Sequence, residues 1–89
     1  MNKERLHNIF ERCEAIAKEK NKQYGDKNIM RHGAFGVMVR LGDKMDRIEN
    51  QLSLGDVGRD NEKIADNIKD SINYLAYLLM LMEGSFADN

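Results

Sequence analysis

Proline is absent from all 89 residues, cysteine occurs once, and no apolar run is long enough to cross a bilayer. Each absence excludes something. Without proline, and without strand-like alternation of apolar and polar residues, an all-α chain is the simplest reading. A lone Cys13 rules out an internal disulfide framework and fits a reducing cytoplasm. Its place on the apolar face of the first helical stretch makes it a buried thiol rather than a nucleophile. Residues 72–82 are the most lipid-like run, but they are too few to span a bilayer and are interrupted by Asn73. The opening residues MNKERLHN lack the apolar core of a secretory signal. These features predict a cytoplasmic protein with no membrane partner.

Eighty-nine residues make one domain with no room for a second core. A chain of this size buries about 60–65% of its unfolded surface, so assembly into a homo-oligomer would help it. A hydrophobic share of 42% beside a charged share of 33% belongs to a globular protein and not to a disordered one. The net charge of −1 gives no general case for a nucleic-acid partner. Charge is nonetheless unevenly spread. Residues 1–47 hold eleven Lys/Arg against seven Asp/Glu, and residues 48–89 hold three against eight, so +4 stands beside −5. Such a split favours contact between the halves, within a subunit or between subunits.

Three stretches carry helical periodicity. The first covers about residues 3–23, with Leu6, Ile9, Phe10, Cys13, Ile16 and Ala17 on one face and Gly25 as a left-handed cap. The second, about residues 34–53, has a core stripe of Val37, Leu41, Met45, Ile48 and Leu52, flanked by Arg40, Lys44, Arg47 and Gln51. The third, about residues 61–83, carries the apolar stripe Ile64, Ile68, Ile72, Leu75, Leu79 and Met82. Asp66, Asp70, Asn73 and Tyr77 form a polar stripe roughly opposite. Toward its C-terminal end this helix is apolar nearly all round, so the polar stripe is expected to line a groove rather than face open water. Residues 27–36 read as a connection, in which Gly33 and Gly36 suit either a phosphate or close helix packing. Residues 54–61 read as a loop, with Asp60 or Asn61 capping the next helix. Residues 85–89 are expected to fray. The expected architecture is a three-helix antiparallel chain assembling into a dimeric or larger helical bundle.

Two acidic sets and one basic set could carry chemistry. Asp43 and Asp46 form an i, i+3 pair on the second helix, and Asp66 and Asp70 an i, i+4 pair on the third. Carboxylates from facing helices are how bundles hold hard cations. Mg²⁺ suits them, since it takes a few carboxylates, keeps water and accepts phosphate oxygens. Arg40, Lys44 and Arg47 stand beside the acids and offer phosphate clamps, with Lys44 and Arg47 placed to act in catalysis. Acids that bridge a metal next to bases that clamp phosphates are equipment for attack of water on a phosphoanhydride. Tyr24 and Tyr77 are candidates to stack on a base, and Asn73 to hydrogen-bond a base or sugar. The bland counterpart is that the bases pair with Asp66 and Asp70 across a helix interface, and that the tyrosines only pack.

The ordered series Gln23-Tyr24-Gly25-Asp26, Gly33 through Gly36, Val39 through Arg47 and Asp66 through Tyr74 resembles the nucleotide modification associated domain, type one, a family common in phage genomes. More distantly it is similar to the MazG-like all-α nucleotide pyrophosphohydrolases, which carry ExxE on one helix and ExxD on the next. Asp43 and Asp46 stand where ExxE would be, and Asp70 matches the final acid of ExxD. Asp66 lies one position before the expected Glu, where Asn67 stands. Aspartates thus replace glutamates, and the second pair is spaced by four instead of three. The resemblance implies a Mg²⁺-dependent pyrophosphohydrolase of nucleoside triphosphates. A non-catalytic nucleotide-binding module and a purely structural helical oligomer or regulator are the alternatives.

Overall fold

The computed structural model describes residues 1–55 and 62–87. It is helical throughout, with no strand among the described residues. In chain order the elements are α1 (Lys3–Tyr24), α2 (Lys27–Met30), α3 (Gly33–Ser53) and α4 (Glu62–Glu83).

Local chemistry sets the ends of these helices. The Asn2 side chain accepts from the Arg5 backbone N–H at 2.9 Å and so caps α1, with Glu4 in the first turn complementing the helix dipole. At the other end Gly25 takes φ 74° and its N–H donates to the Asn21 carbonyl at 2.7 Å. The connection expected over residues 27–36 contains the single turn α2, which buries Ile29. The loop expected after Gly55, with Asp60 or Asn61 as cap, lies outside the described residues. After α4 the chain does not run straight into solvent. The Ser85 N–H donates to the Met80 carbonyl at 2.9 Å, and the Phe86 ring stands 5.5 Å from that of Tyr77.

The two glycines of the connection serve the turn. Gly33 opens α3 at φ 64°, and a Cβ at Gly36 would lie 2.6 Å from the Cβ of His32, so the chain folds His32 back over a position that must stay bare. Gly42, in the middle of α3, has nothing within 4 Å of where its Cβ would be. Gly36→Ala should therefore cost about 1–3 kcal/mol by overpacking. Gly42→Ala should gain about 0.5–1 kcal/mol from helix propensity. Thermal melts of the two variants should move in opposite directions. A rise in melting temperature for both would contradict the close approach.

The main pairing is α3 on α4. Lys44 meets Asp70 while Gln51 meets Asn67, so numbers rise along one helix as they fall along the other, and the two run antiparallel. Val37 and Leu41 on α3 and Ile64 on α4 are buried in this hairpin, Val37 completely. The sparser contact is α1 on α4, made near Cys13, which is also buried. One outcome was not evident from periodicity. The apolar stripe of α4 is not its covered face, since Ile68, Leu75, Leu79 and Met82 are exposed, the last at 72%. Met38, Met45 and Leu52, which recur every seven residues on one side of α3, are exposed as well. The covered sides of α4 are those carrying Ile64, Ser71 and Tyr74 toward α3, and Asp70 and Asn73 toward α1.

Candidate functional site

The sides of α4 that carry Asp70, Asn73, Tyr74 and Tyr77 face an open groove of about 1270 Å³ between α1 and the α3–α4 hairpin. Lys20 and Tyr24 reach it from α1, and Arg40 and Lys44 from α3. Helix geometry explains the convergence. Arg40 and Lys44 are one turn apart on the flank of α3 next to α4, and Asp70 and Tyr74 are one turn apart on the facing flank of α4.

Asp70 is the pivot of the groove. Lys20 Nζ donates to its Oδ1 at 2.8 Å, and Lys44 Nζ lies 3.1 Å from its Oδ2. The Lys44 and Asp70 side chains are each only 17% exposed. Both bases of α3 also lie over the Tyr74 ring, Arg40 Cζ at 5.8 Å and Lys44 Nζ at 5.7 Å from its centre. Tyr77 meets the Tyr74 ring edge-on at 5.8 Å, so Tyr74, Tyr77 and Phe86 form a run of three aromatic rings in the groove. Burial pushes the Tyr77 phenol up from its ordinary value, helped by Tyr74 and the Asp70 charge.

Burial alone would push the Asp70 carboxyl up as well. The hydrogen bonds from Lys20 and Lys44, with their charges, outweigh it and hold the group below its ordinary value of 3.8. A folded-state value below the unfolded one contributes stability that is fully present above the ordinary value and lost as pH falls through the lowered one. Acid titration followed through the α1 amides should show α1 loosening from α4 only below about pH 4, and Asp70→Asn should remove that step. An unchanged acid transition in the variant would mean that the lysines do not anchor α1 through this carboxylate.

The other expected site residues divide. Asn73 is buried, and its Nδ2 donates to the Cys13 backbone carbonyl at 3.0 Å, so its amide nitrogen is engaged in tying α1 to α4. Tyr24 stands exposed at the groove's mouth. Arg47 and Asp66 line a separate polar cleft of about 450 Å³ with Asn50, Gln51, Lys63 and Asn67, toward the other end of the hairpin. Asp43 and Asp46 are exposed and line neither cleft. Among the described residues no three of Asp, Glu, His and Cys gather into a group that could hold a metal ion. Within one chain the four aspartates are divided, with Asp70 in the groove, Asp66 in the second cleft, and Asp43 and Asp46 exposed on α3. The α3 face that carries Lys44 toward α4 leaves positions 43 and 46 on other sides of the helix, and Asp70 is already held by two lysines.

Two groove residues escaped the sequence reading. Lys20 lies on the same face of α1 as Cys13 and Ala17, and a lysine continuing a core stripe was the available signal. Tyr74 falls one turn after Asp70, and that spacing was its available signal.

The chain matches no family model, no curated protein and no solved structure. No helix among the described residues is long and apolar enough to cross a membrane.

Proposed function

We propose that the groove between α1 and the α3–α4 hairpin binds a nucleoside di- or triphosphate. The observation that carries this reading is the pairing of Lys20 and Lys44 with Asp70, with Arg40 over Tyr74 and Tyr77 beside it, in one groove. Lys18, Lys20, Arg40 and Lys44 line the groove against Glu14, Asp26 and Asp70, which leaves one positive charge in surplus. Arg40 can take phosphate oxygens with a planar fork and the lysines as point charges. The aromatic wall and Tyr24 at the mouth offer faces on which a base can stack.

Mg²⁺-dependent pyrophosphate release, the activity implied by the MazG-like resemblance, would need a metal on Asp43, Asp46, Asp66 and Asp70. Their separation within the single chain does not favour it, and the nucleotide-binding module is the better supported form of the reading. A second copy of the chain is the proposed partner for the exposed apolar residues Met38, Met45 and Leu52 of α3 and Ile68, Leu75 and Leu79 of α4. That arrangement would give the bundle its remaining helices.

Melting curves across a nucleotide panel, with and without Mg²⁺ and followed by a product assay on any hit, test the proposal. A nucleotide-dependent rise in melting temperature without product is expected. Pyrophosphate release that is lost in both Asp66→Asn and Asp70→Asn would support the hydrolase instead. No shift with any nucleotide would leave a structural oligomer.

A further inference from the structure

Asp70 puts a single carboxylate between two ammonium groups, with one oxygen to each: Oδ1 to Lys20 at 2.8 Å and Oδ2 to Lys44 at 3.1 Å. A carboxylate used in this way is a small bridging anion. A phosphoryl group offers the same bridging pair of oxygens, a third oxygen for a further donor, and more charge. Arg40 stands ready as that donor, since it shares the Tyr74 ring with Lys44. The cations that a phosphate would use are thus the ones that Asp70 already occupies. A phosphate brought beside an undisplaced Asp70 would meet like charge at close range, in a place where both Asp70 and Lys44 are largely removed from water.

We propose that Asp70 is an internal counter-ion seated in the phosphate position, and that a phosphate-bearing ligand binds by displacing its carboxylate from Lys20 and Lys44. The proposal rests on the nucleotide reading of this groove and deepens it. Between ligands, Asp70 neutralises two lysines, one from α1 and one from α3, that would otherwise repel each other across the groove. The same competition sets a threshold. A monoanion gains little by exchanging places with a carboxylate, whereas a di- or triphosphate brings more charge and more oxygens. Selection for polyphosphates follows from the exchange itself, with no further residue needed. Because Lys20 is contributed by α1, the bound phosphate takes over the tie between that helix and the hairpin.

The direction of one mutation separates this role from that of a metal ligand. Asp70→Asn keeps the side chain's size and removes its charge. Inorganic pyrophosphate, titrated calorimetrically without Mg²⁺, should bind this variant at least about tenfold more tightly than wild type, since a hydrogen bond to a charged group is worth about that much. Lys20→Met should weaken it. Should Asp70→Asn not fold, the wild-type protein carries the test. The carbon-13 shift of the Asp70 carboxyl should move on pyrophosphate binding as the group leaves both lysines. Pyrophosphate that binds wild type, but binds a folded Asp70→Asn equally or less well, overturns the counter-ion and leaves the phosphate site standing. An unmoved carboxyl signal in the bound wild type does the same. If neither protein binds pyrophosphate or a nucleoside triphosphate, the nucleotide reading itself fails, and the counter-ion with it.

Discussion

Replacing Lys44 by methionine should weaken nucleotide binding by about ten- to a hundredfold, the worth of one charge-assisted hydrogen bond of roughly 1.5–3 kcal/mol. Lys44 is central to the groove: it pairs with Asp70, lies over Tyr74 as Arg40 does, and is mostly withdrawn from water. Methionine retains the apolar stem and its packing, so the loss isolates the charge. It also leaves Asp70 with one lysine fewer, and its charge then opposes an incoming phosphate. Calorimetric titration of a nucleoside triphosphate into the two proteins measures the effect. Lys22→Ala, an exposed change on α1 outside the groove, should leave affinity within about twofold at physiological salt. Equal affinities for wild type and Lys44→Met would mean that the basic flank of α3 does not meet the ligand.

The second large effect concerns how the groove is held open. Asn73 is buried, and its bond to the Cys13 carbonyl joins the middle of α1 to α4. Outside that bond and the Lys20–Asp70 pair, α1 has little contact with the hairpin, whereas α3 and α4 share the main core. Asn73→Leu keeps the branched skeleton of the side chain and removes the donor. It should cost about 1–3 kcal/mol, and the cost should fall unevenly. Amide exchange should quicken along α1 while the α3–α4 hairpin keeps its protection. Uniform quickening of exchange would show one cooperative unit and no separate attachment of α1. Unchanged exchange would show that the Cys13 bond contributes nothing.

These expectations depend on features that are unequally visible in sequence. The all-helical character was legible, because proline is absent and apolar residues recur at helical spacing in three stretches. The polar stripe of α4 pointed to a groove for a sound reason, since a helix apolar on nearly all other sides has no reason to carry Asp70 and Asn73 unless something faces them. Which side of α4 is covered was not legible. Its longest apolar stripe ends up exposed at Leu79 and Met82, while the flank with Asn73 is buried. Periodicity finds a stripe but cannot say whether the same chain or a second copy covers it. The aspartates are dispersed for a related reason. A spacing of three puts Asp43 and Asp46 on one side of α3, but only the angle of that side to the core face decides whether it meets α4. Val37 and Leu41 take the core direction, and Lys44, not either aspartate, lies next to Asp70. Lys20 was hidden by its distance in sequence, fifty residues from its carboxylate partner.

The most direct test of the account is a residue-by-residue NMR titration with a nucleoside triphosphate. The largest shifts should fall on Lys20, Arg40, Lys44, Asp70 and Tyr74, the groove between α1 and the hairpin. Shifts confined to Arg47, Asn50 and Asp66, or no shifts at saturating ligand, would contradict it.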